Sequence, residues 1–174
     1  MLKMGIMDWK ARIDRQFEAG LFDEVTIHKN ASNEKQRPTK EITNFEYCLQ
    51  PEEITEKFEP PLKEELVERA YVLHRSIEVF EHLKYDINSR QAAFVNDYDS
   101  KDNHCIAYFH HYIRNGKYSM NVYVRSMNYI DNFIFDCQTF NLAYSEVYDR
   151  IKKEYPEVEQ GFIRVFVFSL HIYR

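Results

Sequence analysis

The second half of the chain carries polar residues at alternate positions of largely apolar segments. Asn121, Tyr123 and Arg125 share one face of a predicted strand, and Ser126 follows where that strand ends. An arginine fork beside a serine hydroxyl is suited to the oxygens of a phosphomonoester. Cys105 begins the preceding predicted strand. The arginine and the serine predict a phosphate site.

A second polar pair closes the last apolar segment of the chain. His171 and Tyr173 are two residues apart, so both side chains project from the same face of a strand. Polar groups at the end of so apolar a strand indicate a ligand contact. The alternative is that both side chains simply meet solvent at the strand end.

The elements that must position these residues begin with a hairpin. The dipeptide Asn115-Gly116 supplies the positive φ angles of a tight turn, and it predicts that strands Cys105–Ile113 and Lys117–Arg125 pair with each other. The final segment, Phe162–Tyr173, is almost wholly apolar, which is typical of a strand buried on both faces.

Helices are predicted where apolar residues recur at intervals of three and four. This spacing indicates one long helix over Leu62–Leu83 and a second over Phe140–Lys153, which ends before Pro156. A short amphipathic helix around Trp9 and Phe17 is expected near the N-terminus. Shorter strands are predicted at Glu24–His28, Phe45–Leu49 and Gln91–Val95.

Composition limits the class of protein. The chain has 174 residues, 44% of them hydrophobic, which fits one globular domain over residues 1–174. A net charge of −5 argues against a broad basic surface for nucleic acid polymers. Cys48, Cys105 and Cys137 form no zinc-type cluster, so we expect no metal and a reducing cytoplasm. We also expect no membrane span and no signal peptide, because no apolar run is long enough.

The segment from Cys105 to Ser126 resembles, without a gap, the catalytic hairpin of the thymidylate synthase and deoxycytidylate hydroxymethylase family. In that family the pattern runs from the nucleophilic Cys through an Asp/Asn-Gly-Lys turn to Tyr-x-Arg-Ser. Three further segments resemble family motifs in the same order along the chain: Asp86-Ile-Asn-Ser89-Arg90, Phe140-Asn141 and His171-Ile-Tyr173. The specificity of the resemblance comes from the order of these individually weak motifs.

The resemblance implies an α+β fold in which a mixed sheet is packed by long helices within a single domain. Residues 1–60 would form a divergent N-terminal part and residues 61–174 the nucleotide-binding core. It also implies a homodimer in which two sheets pack back to back. In such a dimer Arg90 would reach the phosphate of the nucleotide bound by the neighbouring subunit.

The same resemblance implies a substrate and a reaction. Cys105 would add to C6 of dUMP or dCMP, after which C5 can attack a one-carbon unit carried by methylene-tetrahydrofolate. The expected activity is that of a methyl- or hydroxymethyltransferase acting on a pyrimidine nucleoside monophosphate. Arg125 and Ser126 would hold the phosphate. Asn141 would hold the base, and His171 and Tyr173 would hold the 3′-hydroxyl.

The chain also departs from the family. Asn103-His104-Cys105-Ile106 stands where the family has Pro-Cys-His, and no Glu-x-x-Trp pattern is found. The segment between Ser126 and Phe140 is longer than the family's, so Asp131 or Asp136 could recognise the base instead of Asn141. Arg37 could be a further phosphate-binding arginine or a solvated loop residue.

Two hypotheses therefore stand. In the first, Cys105 is the nucleophile of a pyrimidine C5 one-carbon transferase. In the second, Cys105 is an inert buried cysteine, and the chain is a non-catalytic nucleotide-binding or structural homodimer of the same fold that has lost folate chemistry.

Overall fold

The last strand of the chain lies in the middle of the sheet. The computed structural model describes residues 5–27, 37–50, 63–95 and 105–173. Its helices are α1 (Ile6–Glu18), α2 (Lys63–Tyr85) and α3 (Tyr129–Glu154). Its strands are β1 (Asp23–Ile27), β2 (Arg37–Leu49), β3 (Ala93–Val95), β4 (Ile106–Arg114), β5 (Lys117–Val124), β6 (Met127–Asn128) and β7 (Glu159–Tyr173).

The described strands form one mixed sheet in the order β1-β2-β7-β5-β4-β3, and β6 also pairs with β7. Neighbours are antiparallel except that β5 and β6 run parallel to β7. The predicted hairpin is confirmed: Asn115 and Gly116 have φ angles of 53° and 70°, and Arg114 pairs with Lys117. The turn therefore fixes the register between β4 and β5.

All three helices pack on one face of the sheet. Tyr47 of β2 contacts Trp9 of α1 and Phe133 of α3, at ring distances of 5.9 and 5.5 Å. Phe109 of β4 contacts Phe140 of α3 in the same way. The long helix predicted over Leu62–Leu83 is confirmed as α2, although Leu62 itself lies outside the described residues.

Helices α2 and α3 run parallel to each other. In the N-terminal halves of the two helices, Arg69 Nε of α2 donates to Thr139 Oγ1 of α3 over 3.1 Å. Near their C-terminal ends, Lys84 Nζ lies 3.9 Å from Glu154 Oε1. None of the helices in the described ranges is long and apolar enough to span a bilayer.

The opposite side of the sheet carries no helix from the described part of the chain. The final strand was expected to be buried on both faces, but only its helix-facing residues, such as Val165 and Val167, are fully buried. Of the residues that alternate with them, Phe162, Arg164 and Phe166 are half-buried and Phe168 is exposed. We call this side the open face, and its central residues are Tyr108, His110, Tyr112, Asn121, Tyr123, Arg164 and Phe166.

Helix α3 begins eleven residues before the predicted start at Phe140. Asn128 caps it, because its side chain accepts a hydrogen bond from the Ile130 backbone N over 3.2 Å. No element was predicted over residues 129–139. The aromatic residues of this half are buried because α3 is central in the helix layer, where the sheet lies beneath it and α1 and α2 lie on its flanks.

Glycine is required at position 161, where β7 pairs in parallel with β5 and the register between the two strands shifts. A Cβ added there would lie 2.1 Å from Ser119 Oγ and 2.4 Å from the Tyr118 carbonyl oxygen. We therefore expect Gly161→Ala to lower the free energy of unfolding by about 2 to 3 kcal/mol, measured by urea denaturation.

The matched control is Gly20→Ala. Gly20 has a φ of +73°, but no described atom lies within 4 Å of an added Cβ. It should cost only about 1 kcal/mol from backbone strain. Equal stability of Gly161→Ala and the unmodified chain would contradict the close approach of the two strands.

Candidate functional site

Cys105 lies directly before β4, beside an irregularity in the strand. Ile106 is buried towards the helices, whereas Tyr108, two residues later, lies on the open face. Residues two apart in a regular strand share a face, so the register shift between Ile106 and Tyr108 explains the switch. The Cys105 carbonyl oxygen accepts a hydrogen bond from the Arg125 backbone N over 2.7 Å. The hairpin thus places the cysteine and the arginine side by side.

Arg125 and Ser126 leave β5 at this same end of the sheet. The Arg125 side chain is exposed and makes no ion pair with another described residue. Ser126 Oγ lies 3.4 Å from His171 Nδ1. The two-residue strand β6 then aligns Asn128 with His171. The predicted phosphate pair therefore lies next to the end of β7.

His171 is buried, with 4% of its surface exposed. Burial lowers the pKa of its imidazole, and this is opposed in part by a hydrogen bond with the Ser169 backbone and by the charge of Glu41. The ring is therefore neutral at neutral pH. Its Nε2 is buried and has no hydrogen-bond partner among the described residues. A neutral imidazole nitrogen can bond a ligand hydroxyl.

Tyr173 lies beside His171, with an edge-to-face ring contact at 5.0 Å, and is 38% exposed. Thr39 of β2 pairs with Tyr173, so the start of β2 reaches the same end of the sheet. Arg37 belongs to that start, but its side chain lies outside the described residues. Asn103 and His104, which replace family residues at the cysteine, also lie outside them.

Asn141 is not brought to this end. It follows Tyr129 by twelve residues, which is about 18 Å along a helix axis at 1.5 Å per residue. Helix α3 runs from the Cys105 end towards the hairpin turn, where the Tyr144 hydroxyl donates to the Tyr118 carbonyl oxygen over 2.9 Å. Asn141 is buried, and its Oδ1 has no hydrogen-bond partner among the described residues.

Two acidic residues lie nearer to the start of α3. Asp131 is exposed in the first turn, where it accepts from Asn128 Nδ2 over 2.5 Å. Asp136 is buried in the second turn. Its charge opposes the lowering of the Arg69 pKa that burial causes.

Arg90 is placed at the opposite end of the same sheet. The Ala92 carbonyl oxygen accepts from the His111 backbone N over 2.8 Å. His111 is six residues beyond Cys105, so Arg90 lies roughly 20 Å or more from Cys105 at about 3.3 Å per strand residue. Arg90 lines a surface cleft of about 680 Å³ after α2, together with Tyr85, Asn88 and Gln91 among others. Cys105 does not line this cleft.

The other two cysteines are enclosed in the fold. Cys48 is 1% exposed and Cys137 fully buried, with its Sγ 3.4 Å from the Tyr47 hydroxyl. Burial raises the pKa of the Cys137 thiol well above its ordinary value. Cys105 is half-buried and is the most accessible of the three.

Sequence reasoning missed Asn128 and Glu41, which flank His171 from β6 and β2. Asn128 follows Ser126 by two residues, and asparagine favours helix N-caps. That signal could have located the start of α3. Across the described ranges, no group of three or more His, Cys, Asp or Glu side chains could hold a metal ion.

The sequence matches no protein-family model, and it matches no curated protein. Its structure is similar to that of thermostable thymidylate synthase A from Bacillus subtilis, with a TM-score of 0.60 over 97% of this chain and 79% of that chain. The fold is thymidylate synthase-like. Because the two sequences are only 13% identical, the likeness shows the α+β fold alone.

The exposure of the cysteines leads to a prediction for the folded protein. Iodoacetamide should alkylate Cys105 at least about tenfold faster than Cys48 or Cys137, because both of those thiols are buried and burial also raises the pKa of Cys137. Peptide mass spectrometry over a time course measures the three rates. In Cys105→Ala the fast phase should disappear. Faster labelling of either buried cysteine would contradict the placement of these residues.

Proposed function

We propose that the chain binds a pyrimidine nucleoside monophosphate where Cys105, Arg125 and His171 meet, and that it adds a one-carbon unit to C5 of the base. One observation carries this proposal. A thiol, an exposed arginine with a serine, and a buried neutral histidine come together at one end of a thymidylate synthase-like sheet. The three groups suit the base, the phosphate and the sugar of one nucleotide.

The phosphate is bound by Arg125 and Ser126. The arginine has no competing partner among the described residues, and charge-assisted bonds to phosphate are among the stronger hydrogen bonds in proteins. Helix α3 starts directly after this pair, so its positive N-terminal end supports the same anion.

The sugar is bound by His171 and Tyr173. Both groups can bond a hydroxyl, and burial keeps His171 neutral. A neutral imidazole orients the 3′-hydroxyl without adding a charge.

The reacting group is the Cys105 thiolate, which the positive charge of Arg125 favours. Its sulfur forms a bond to C6 of the base, and the electrons of the C5–C6 double bond move towards the C4 carbonyl. C5 then bonds to the incoming carbon and loses its proton, and the bond between that carbon and its donor breaks. A hydride from the donor, or a hydroxide from water, completes the methyl or hydroxymethyl group as the S–C6 bond breaks to release the thiolate. The cysteine is unchanged at the end.

The carbon donor implied by the resemblance is methylene-tetrahydrofolate, but the described residues do not provide the tryptophan with which the family orders it. The sole tryptophan of the chain, Trp9, is 3% exposed, and its indole N donates to the Cys48 carbonyl oxygen over 2.9 Å. The burial of Trp9 favours the second candidate function, a nucleotide-binding homodimer without folate chemistry.

Residues in the first turns of α3 recognise the base in this proposal. Asp136 and Asp131 lie closer to the start of the helix than Asn141, which lies about 18 Å along it. A carboxylate can accept a hydrogen bond from the 4-amino group of cytosine. Asn141 would instead suit uracil, so titrations with dUMP and dCMP distinguish the two assignments.

A homodimer completes the site in this proposal. Arg90 and Cys105 of one chain lie at opposite ends of a sheet, so Arg90 can act on the same nucleotide only from a second copy. The open face, which no described helix covers, is the surface through which two sheets can pack back to back. The partner of the chain is thus a second copy of itself.

Addition of Cys105 to the base can be tested directly. Incubation with 5-fluoro-dUMP, with and without methylene-tetrahydrofolate, should give a covalent adduct on Cys105 in mass spectrometry. Incubation with dUMP in D₂O should exchange the C5 hydrogen, which requires the thiolate but no carbon donor. Cys48→Ala should retain both results, and Cys105→Ala should lose both.

An unmodified chain that binds dUMP or dCMP but gives neither result would establish the non-catalytic alternative. An adduct that survives Cys105→Ala would also defeat the enzyme hypothesis. Failure to bind either nucleotide would defeat both candidate functions.

The contribution of Arg90 from the partner subunit predicts complementation. Arg125→Gln and Arg90→Gln should each weaken nucleotide binding about 10- to 100-fold, because each removes a charge-assisted bond worth about 1.5 to 3 kcal/mol. In a mixed dimer one site carries both changes and the other carries neither. Mixing the two variants should therefore restore tight sites, as measured by calorimetry.

Arg150→Gln is the matched control, since Arg150 lies on α3 in the helix layer, away from the open face, where it pairs with Glu146. It should leave binding unchanged. If the mixture shows no tight sites although subunits exchange, Arg90 does not act across the dimer. A monomeric mass in sedimentation would remove the contact altogether.

A further inference from the structure

A row of side chains crosses the middle of the open face. Pairing across five strands aligns its members side by side, from β3 through β4, β5 and β7 to β2: Ala93, His110, Asn121, Arg164 and Cys48. The row is flanked by aromatic rings, including the stacked pair Tyr123 and Phe166, whose centroids are 4.7 Å apart. His110 is the imidazole at the centre of this face.

His110 lies between two rings of its own strand. The centroids of Tyr108 and Tyr112 are 6.3 and 5.3 Å from its ring. Its Nε2 is buried and has no hydrogen-bond partner in the described part of the chain. The Tyr112 hydroxyl donates to Asn121 Oδ1 over 3.3 Å, so it is directed to the neighbouring strand instead.

The charges around His110 do not favour its protonated form. On its own strand the nearest charge is Arg114, and β3 contributes the uncharged Ala93 and Val95. Next to it on β5 lie Asn121 and Tyr123, neither of which is a carboxylate.

The strands farther across the face also place no free carboxylate of the described residues beside His110. On β7 lies Arg164, whose Nε is 3.4 Å from Glu46 Oε1 of β2. Glu46 is three strands from His110 and is engaged by that arginine. On the other side of β4, His111 is buried in the core, where its pKa is lowered to about 3 by burial and then by His110, so it is neutral.

We propose that a second copy of the chain packs on the open face while His110 is neutral, and that protonation of His110 separates the two copies. This inference rests on the homodimer of the proposed function. A charged imidazole in this row would be enclosed between aromatic rings with no described carboxylate beside it, and buried charges without a partner are costly.

The sign of the effect follows from proton linkage. In the single chain, burial and Arg114 already lower the pKa of His110 below 6.5. A second sheet packed over the face removes more water and lowers the pKa further. The separated chain then binds protons more readily than the dimer, so acid favours separation. The dissociation constant is lowest, and independent of pH, above the pKa of His110 in the separated chain. It rises as the pH falls below that pKa.

Sedimentation of the full chain between about pH 7.5 and about pH 5.0 tests the proposal. Each dimer contains two copies of His110, so the dissociation constant should rise up to about 100-fold per pH unit below the pKa of the separated chain. In His110→Gln and His110→Phe the dissociation constant should be independent of pH over the same range. The phenylalanine variant keeps a ring between the two tyrosines.

His82→Gln is the matched control, because His82 is exposed near the end of α2. It should keep the pH dependence of the unmodified chain. Circular dichroism at each pH separates dissociation from acid unfolding, which His111 would promote. Nucleotide binding is measured separately at about pH 7.5.

The outcomes are distinguishable. A dimer whose dissociation constant does not change with pH, or a change that persists in both His110 variants, overturns the role of His110 and leaves the proposed function intact. A chain that is monomeric at every pH overturns both the dimer and this inference. If the dimer is sensitive to pH through His110 but the chain binds neither dUMP nor dCMP, the proposed function is overturned and the role of His110 stands.

Discussion

The parallel pairing of β5 with β7 joins the two halves of the candidate site, because it determines where the last strand ends. Two parallel neighbours cannot be joined by a tight turn, so the chain must return along the full length of the sheet between them. Helix α3 makes that return, and it starts where β5 ends. The end of β7 consequently lies beside the start of α3, and Ser126 approaches His171 although 45 residues separate them.

The sequence could predict the parts of this arrangement that depend on local chemistry. Asn115-Gly116 fixed the hairpin register, and that register alone places Cys105 next to Arg125. The helical state of the first half of α3 depends instead on burial by neighbouring elements, which overrides the strand preference of its aromatic residues. Only the cap residue Asn128 marks its start locally. The position of Asn141 on the helix could not be inferred without that start. The proximity of His171 to Ser126 likewise needs the parallel pairing, for which the sequence carries no local signal.

Adjacent histidines illustrate how the two faces of the sheet differ. His111 faces the helices, where its Nδ1 lies 2.6 Å from the Tyr118 hydroxyl and its ring stacks on that tyrosine. Burial lowers its pKa to about 3. Above about pH 6.5, the ordinary pKa of histidine, the ring is neutral in both the folded and the unfolded chain, so its protonation does not affect the free energy of unfolding. Stability falls as the pH drops from there towards 3, because the unfolded chain takes up the proton first. His110, one residue earlier, faces the open side, where packing of a second sheet rather than folding would decide its protonation.

The two ends of the sheet also constrain how copies can pair. A two-fold axis between back-to-back sheets must lie in the plane between them. If that axis runs along the strands, each end of one sheet faces the same end of its partner, and Arg90 stays far from the partner's Cys105. If the axis is perpendicular to the strands, opposite ends face each other. Joint action of Arg90 and Cys105 on one nucleotide therefore requires the perpendicular axis, which places the His110 row near the centre of the interface.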